Sequence, residues 1–287
     1  MASPAGVDLR LPDLRFVPVE TLVPHEQHDE QRLQTLAERI REQSLLKNPP
    51  VVAPLATEGP NGGRFVVLDG ANRSSAARAA GFPHMLVQVV RYPDPGVQLS
   101  TWYHAFGCFA RAELEQALEN VPGLAPRPVP PMQARAMLAR REALAWVACD
   151  DDAAVALHGG HDINERNALL NAVVDIYRNR GRFYRVTSDS LDEVRAAHPE
   201  VTALVVFPHF EPAEILELAS SGARLPAGIT RHLIRWRALR VNLPLSRLAD
   251  VGQSLEEKNR WLQVWLKEKL SHRHVRFYEE PTVLFDE

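Results

Sequence analysis

The chain has 287 residues, of which 33 are basic and 36 acidic, so its formal net charge is −3. A chain of this length can bury a sizeable core and is expected to form one large domain or two smaller ones. The nearly balanced charge excludes a general attraction to nucleic acid, although a local basic patch is compatible with it.

Cysteine usage and hydropathy narrow the class of protein further. Cys108 and Cys149 have the spacing of neither a metal site nor a disulfide framework. No apolar run approaches the roughly 20 residues that a membrane-spanning helix needs, and the first residues carry no export signal. We therefore expect a soluble, cytoplasmic protein that binds no membrane.

In chain order, residues 13 to about 107 predict a compact α/β module. Apolar runs predict strands at residues 14–19, 51–53, 64–68, 85–90 and 98–104. Helical spacing of apolar residues predicts a helix over about residues 30 to 45. A Gly/Pro/Asn turn follows at 58–63, and an alanine-rich segment after residue 70 predicts a second helix that ends at Gly81.

A proline-rich stretch at residues 121–131 has the composition of a linker. We place a boundary there, which gives one domain over residues 1–120 and another over residues 121–287. Beyond it, periodicity predicts helices near 132–140, 164–179, 188–198, 211–220 and 255–270, and strands near 144–149, 153–157, 204–207 and 275–278. Three aspartates at 150–152 indicate a hairpin turn. The fold class is mixed α/β.

The junction between the strand at 64–68 and the next helix gives the strongest local indication of function. The apolar strand stops at Asp69-Gly70, and a helix begins at once. The first turn of a helix has backbone N–H groups without intrahelical partners, so it favours anions, and Arg73 adds a guanidinium that matches phosphate. Asp69 could hold Mg²⁺ against the same phosphate. The alternative is a helix turn with a capping Asp69 and a solvated Arg73.

Four motifs, taken in order, resemble those of free L-serine kinases of the ParB/sulfiredoxin fold, a group that includes a staphylococcal-type regulator and kinase of siderophore biosynthesis. The motifs are His25-Glu26, Asp69-Gly70-Ala71-Asn72-Arg73, Ser100-Thr101-Trp102-Tyr103-His104 and Pro226-Ala227-Gly228-Ile229-Thr230-Arg231. The resemblance covers nearly the whole chain. It implies a ParB/sulfiredoxin-like nucleotide-binding domain, followed by a C-terminal α/β domain that completes the substrate site.

One departure concerns the second motif. The relatives carry a histidine before the arginine, whereas this chain has Asn72. An amide can bond to a phosphate oxygen or a ribose hydroxyl, but it cannot carry charge or shuttle a proton. The choice of nucleotide and the rate are the properties that this exchange affects.

The resemblance implies transfer of a phosphoryl group from ATP or ADP, with Mg²⁺, to free L-serine. Such a transfer needs bound phosphates, a metal ion and a carboxylate that receives the hydroxyl proton. We assign Glu26 to the proton, and Asp69 to catalysis and to the metal. The residues assigned to the nucleotide phosphates are Gly70, Asn72, Arg73 and Ser74. Those assigned to the amino-acid substrate are Trp102, Thr230, Arg231 and His232.

Each assignment has an ordinary structural alternative. Glu26 could be a solvated turn residue, Trp102 could cap the core of a sheet, and Arg231 could form a surface ion pair. His158 and His161 have the spacing of no common metal site and indicate a turn.

A DNA-binding regulator of the ParB type is the alternative function. Its candidate contact surface is the set of arginines at 231, 235, 237 and 240. The acidic net charge and the lack of a helix-turn-helix pattern after residue 107 disfavour it. A third possibility retains the kinase but changes the acceptor to another small hydroxylated amino acid. The oligomeric state and the binding of haem stay open.

Overall fold

The computed structural model describes residues 11–27, 44–55, 63–92, 94–149 and 153–278, and these residues form two main sheets of five and six strands, two short ladders and several helices. The helix predicted over residues 30 to 45 lies mainly outside the described residues, as do most of the turn at 58–63 and the turn at 150–152.

The strands are β1 (Asp13–Pro18), β2 (Leu22–Pro24), β3 (Leu45–Leu46), β4 (Val51–Pro54), β5 (Phe65–Asp69), β6 (His84–Val89), β7 (Val97–Thr101), β8 (Tyr103–Phe106), β9 (Ala125–Val129), β10 (Ala145–Ala148), β11 (Ala154–His158), β12 (Phe183–Val186), β13 (Ala203–Val206), β14 (Thr230–Ile234) and β15 (Leu243–Pro244). The helices are α1 (Ala71–Ala79), α2 (Arg111–Glu119), α3 (Pro131–Ala139), α4 (Ile163–Tyr177), α5 (Leu191–Ala197), α6 (Pro212–Ser221), α7 (Leu245–Ala249) and α8 (Leu255–Ser271). A 3-10 turn lies at Val19–Thr21.

The first sheet has the strand order β1-β6-β4-β5-β2. Its buried core includes Phe16, Leu22, Val67 and Leu86, and α8 adds Leu262. β2 and β5 run parallel as neighbours, with Pro24 opposite Val67. Parallel neighbours end at the same edge of a sheet. The residues that follow β2, His25 and Glu26, therefore lie beside the Asp69-Gly70 end of β5.

The second sheet has the order β12-β8-β13-β10-β11-β9, and all its neighbouring strands are antiparallel. The proline-rich stretch at residues 121–131 was interpreted as a linker, and this interpretation is wrong for residues 125–129, which form β9 and pair with β11. Proline has no backbone N–H to donate. It is tolerated in β9 because β9 is an edge strand, which has a hydrogen-bonded neighbour on one side only. The domain boundary near residue 120 stays a prediction.

A short ladder between β7 and β14 connects the two halves of the sequence, since Thr101 lies opposite Thr230. The strand predicted over residues 98–104 is divided at Trp102. β7 pairs with β14, whereas β8 pairs with β12 and β13 in the second sheet. The two segments have different partners, so one continuous strand cannot serve both.

Most other predicted elements are confirmed within a few residues, and the mixed α/β class is confirmed. The strand predicted at residues 275–278 is wrong, because these residues form no strand ladder with any other described residue. Besides β9, the elements that had not been predicted are β2, β3, β12, β14, β15, α2 and α7. None of the described helices combines the length and the apolar character needed to cross a bilayer.

Candidate active site

A cavity of about 690 Å³ opens where β2 and β5 end and where β14 begins. Every predicted site residue except Ser74 lines it: Glu26, Asp69, Gly70, Asn72, Arg73, Trp102, Thr230, Arg231 and His232. Residues about 200 positions apart in the chain therefore share one cavity. Their chemical roles stay predictions.

The carboxylate of Glu26 is held by three donors from the segment before and within β14. Oε2 accepts a hydrogen bond from the Gly228 N–H at 2.8 Å, and Oε1 accepts one from the Thr230 N–H at 2.7 Å. The Thr230 hydroxyl also donates to Oε1, at 2.5 Å. The side chain is only 16% exposed, so the alternative of a solvated turn glutamate is wrong.

The backbone around Glu26 is fixed by the same distant segment. The Leu225 N–H donates to the His25 carbonyl oxygen at 2.8 Å, and the Gln27 N–H donates to the Leu225 carbonyl oxygen at 2.7 Å. This parallel bridge brings Glu26 and Gly228 together.

His104 holds the carbonyl group of Gly228, whose N–H is bonded to Glu26. Its Nε2 donates to the Gly228 carbonyl oxygen at 3.2 Å, so its Nδ1 is the acceptor that faces the Tyr177 hydroxyl at 2.7 Å. His104 is fully buried, and the loss of hydration lowers its pKa to about 3. The neutral imidazole therefore has both nitrogens satisfied.

Asp69, at the end of β5, lies between two guanidinium groups. Arg73 Nη2 donates to its Oδ2 at 2.9 Å, and Arg237 forms a short bond to the same oxygen. The alternative in which Asp69 caps α1 is wrong, because the cap position is Gly70 and no side chain caps it.

The buried side chain of Gln88 positions the segment that carries Arg237. Its Oε1 accepts from the Ala238 N–H at 2.8 Å, and its Nε2 donates to the Trp236 carbonyl oxygen at 3.0 Å. Gln88 lies in β6, so the first sheet determines where Arg237 meets Asp69. No motif in the sequence indicated this contact.

The start of α1 has the features of an anion site. Gly70 is the N-cap at φ +87°, and the first turn contains no acidic residue. The Ser74 N–H is the first to find an intrahelical acceptor, the Gly70 carbonyl oxygen. Gly70, Ala71 and Asn72, which precede it, line the cavity, and the first turn of a helix is where backbone N–H groups are available to an anion. Ser74 itself is buried, and its hydroxyl lies 3.2 Å from the Gly70 carbonyl oxygen, so its predicted contact with phosphate has no support from its position.

Trp102 and Arg231 form one unit in the cavity wall. The Arg231 guanidinium lies 4.5 Å from the centroid of the Trp102 ring. Such a cation–π contact orients the guanidinium while leaving its N–H donors available for a ligand.

His232 lies deeper in the wall. Its Nε2 is 2.7 Å from the Tyr92 hydroxyl. Burial, and next the nearby charge of His25, lower the pKa of His232 to about 3. His232 is therefore neutral at neutral pH and cannot supply a positive charge to a substrate carboxylate.

Two cations in the lining, Lys47 and Arg185, were missed by sequence reasoning. Lys47 stands between β3 and β4 outside any motif. Arg185, in β12, packs so closely on Gly228 that a Cβ at residue 228 would lie 2.2 Å from its Nη2. A glycine inside the fourth motif was the available signal, because it indicates the close approach of another group.

No group of three or more metal-ligating side chains occurs among the described residues. Mg²⁺ in phosphotransferases is commonly held by one or two carboxylates together with substrate phosphates and water. Asp69 fits that pattern, since neither arginine bond is made to its Oδ1.

The fold is that of the free serine kinases. A free serine kinase in complex with AMP superimposes with a TM-score of 0.69 at 20% identity, over 85% of this chain and 98% of that one. C-terminally truncated SbnI from Staphylococcus aureus gives a TM-score of 0.64 at 21% identity, over 89% and 96% of the two chains.

Curated relatives agree with the fold. The ATP-dependent L-serine kinase SbnI of Staphylococcus aureus (strain NCTC 8325 / PS 47) is 24% identical over 278 residues, which is 96% of this chain and 97% of SbnI. The ATP-dependent L-serine kinase of Staphylothermus marinus is 32% identical over 90 residues, which is 31% of this chain and about a third (34%) of that relative. No family model matches. The predicted resemblance to free L-serine kinases is thus confirmed.

Proposed function

We propose that this protein is a small-molecule kinase that transfers the γ-phosphoryl group of ATP to the hydroxyl of free L-serine, giving ADP and O-phospho-L-serine. The observation that carries the proposal is that the Glu26 carboxylate and the anion-binding start of α1 line one cavity. The relatives named ATP-dependent L-serine kinase support the donor and the acceptor.

The nucleotide end of the cavity is the start of α1. We assign the phosphates to the first N–H groups of the helix, to the Arg73 guanidinium and to the Asn72 amide, with Lys47 as a further cation. Asp69 would hold Mg²⁺ together with phosphate oxygens, and the ion would neutralise charge that develops on the transferred group. Arg73 and Arg237 would orient the Asp69 carboxylate for that purpose.

The amino-acid end is the Gly228–Arg231 side of the cavity. A free amino acid presents a carboxylate, for which Arg231, stacked on Trp102, and Arg185 are the available cations. A carboxylate bound there would leave the short serine side chain near Glu26, which lies one hydrogen bond from Gly228.

Glu26 would accept the proton of the serine hydroxyl. Its three hydrogen-bond donors hold the carboxylate in one orientation, and a positioned base of this kind contributes roughly 10²–10⁴ in rate.

The DNA-binding alternative is not favoured. The relatives that match over most of the chain are kinases. Two of the four arginines of the candidate patch are engaged by residues that line the cavity, Arg231 by Trp102 and Arg237 by Asp69.

The test is to incubate the purified protein with Mg²⁺, L-serine and either ATP or ADP, and to measure phosphoserine by mass spectrometry. We expect product with ATP and a reduction of at least about 100-fold in Glu26→Gln, with ATP affinity retained. Glu256→Gln, an exposed glutamate in α8, is the matched control and should retain full activity. No phosphoserine with either donor would refute the proposal. A phosphorylated product from L-threonine but not from L-serine would show that the acceptor is threonine.

A further inference from the structure

Three side chains that line the cavity, His25, Thr230 and Glu26, form a continuous hydrogen-bonded row. His25 Nε2 is 2.8 Å from the Thr230 hydroxyl oxygen, and that oxygen is 2.5 Å from Glu26 Oε1. The other ring nitrogen, His25 Nδ1, is 2.6 Å from the Val67 carbonyl oxygen. We call His25, Thr230 and Glu26 the proton row.

The Val67 carbonyl determines the state of the imidazole. A carbonyl oxygen can only accept, so His25 Nδ1 must carry a hydrogen. Nε2 is then the one ring nitrogen that can gain or lose a proton. It faces the Thr230 hydroxyl, which has a single hydrogen to share between His25 and Glu26.

Counting hydrogens in the row gives a simple result. If His25 is neutral and Glu26 is ionised, the Thr230 hydrogen can satisfy only one of the two short contacts. One additional proton satisfies both, whether it resides on Glu26 Oε1 or on His25 Nε2. The two arrangements differ only in the direction of the hydrogen bonds through the Thr230 oxygen.

We propose that His25 is a positioning residue that receives, through Thr230, the proton which Glu26 takes from the acceptor hydroxyl. This rests on the proposed kinase function. As the acceptor oxygen bonds to phosphorus, its O–H bond breaks and the proton passes to Glu26 Oε1. Thr230 Oγ1 then takes that proton and gives its own hydrogen to His25 Nε2. Glu26 is again a carboxylate, and the cation is on His25. The same row returns the proton to water once the product has left.

The surroundings of His25 suit a transient cation. The ring is 3% exposed, and the groups that face it are the Glu26 carboxylate, His232 and, beyond His232, Tyr92. The His232 ring lies edge-on, 5.3 Å away between centroids. Because His232 is neutral, it places no positive charge beside the His25 ring.

The kinetic test compares the pH dependence of kcat in matched variants. At low pH the row already holds its extra proton and cannot take another, so kcat should fall as the pH is lowered. His25→Asn retains a donor for the Val67 carbonyl but has no Nε2. We expect its kcat to fall about 10- to 100-fold with an unchanged KM for ATP, and its acid limb to move to lower pH. His272→Asn, an exposed histidine after α8, should behave as the unaltered protein.

Thr230 separates a relay from simple packing. Thr230→Ser retains the hydroxyl and should retain the acid limb at its original pH, whereas Thr230→Val retains the shape and should shift the limb as His25→Asn does. Equal pH profiles in the serine and valine variants would overturn the proposal.

Nitrogen NMR of the His25 ring tests the row in the free protein, without any turnover. Nδ1 should carry a hydrogen bonded to the Val67 carbonyl, and the pH dependence of the Nε2 signal should differ between the unaltered protein and Glu26→Gln. A ring protonated only on Nε2, or a Glu26→Gln spectrum that titrates like the original, would overturn the relay. If the spectra are as expected but serine is not phosphorylated, the proposed acceptor is refuted and the hydrogen-bonded arrangement of the proton row is retained.

Discussion

Gly70 shows how one residue serves both the fold and the site. Its φ of +87° lies in the left-handed region, and a Cβ there would come within 2.8 Å of Arg73 Nη2. A side chain at this position would therefore cost backbone energy and also displace a group that we assign to phosphate.

Gly81, at the end of α1, is a matched control for this position. Its φ is +72°, but a Cβ there would meet nothing within 4 Å. We expect Gly81→Ala to lower the free energy of unfolding by about 1 kcal/mol through its backbone conformation alone. Gly70→Ala should lower it by more, because the added Cβ would also meet Arg73 and the Pro50 backbone. Only Gly70→Ala should weaken ATP binding. Urea unfolding and calorimetric titration with ATP measure the two effects, and equal ATP affinity in both variants would contradict the role given to Gly70 and Arg73.

At the scale of elements, we expect α8 to affect the stability of the protein but not its activity. Ser254 begins the helix with a capping box, in which its side chain accepts from the Glu257 N–H and Glu257 accepts from the Ser254 N–H. The helix packs on β1 through Asn259, which bonds to both the N–H and the carbonyl oxygen of Phe16. None of the described residues of α8 lines the cavity.

Removal of the cap should therefore change stability alone. Ser254→Ala is expected to lower the free energy of unfolding by about 1 kcal/mol, while Ser254→Asp, which keeps an acceptor, should lose much less. Phosphoserine formation by both variants should equal that of the unaltered protein. A loss of activity in Ser254→Ala at a temperature where it stays folded would show that α8 influences the cavity.

At the scale of the whole molecule, the buried side chain of His104 makes the free energy of unfolding depend on pH. Its pKa is about 3 in the folded protein because burial removes hydration, against 6.5 as the ordinary value. Below pH 6.5 the unfolded chain binds more protons than the folded one. The free energy of unfolding should therefore fall as the pH is lowered from about 6.5 toward 3, by up to about 1.4 kcal/mol per pH unit from this residue.

Urea unfolding at a series of pH values between 7 and 4 measures this dependence. His104→Gln can still bond to Tyr177 and to the Gly228 carbonyl, but it does not titrate, so its stability should vary less with pH. His272→Gln, on the exposed end of α8, should leave the original slope unchanged. A slope in His104→Gln equal to that of the unaltered protein would mean that other groups produce it.

Much of the secondary structure could be predicted because it is local. The alternation in β1, the alanine-rich run of α1 and the apolar runs of β10 and β11 each encode their element within a few residues. β9 could not be predicted from its prolines, because only the position of the strand at the edge of a sheet makes them acceptable. The division of residues 98–104 at Trp102 also depends on distant partners, β14 on one side and β12 and β13 on the other.

By itself, the sequence determined the mixed α/β class, the strand-turn-helix junction at Asp69-Gly70 and the motifs that resemble free L-serine kinases. Each of these is carried by contiguous residues whose conformational preferences act locally. The tertiary structure alone decided that Glu26 is held by Gly228 and Thr230, that Arg237 meets Asp69, and that Arg185 reaches the cavity. The physical reason is that these contacts join segments on different strands, and the chain order contains no measure of the distance between them.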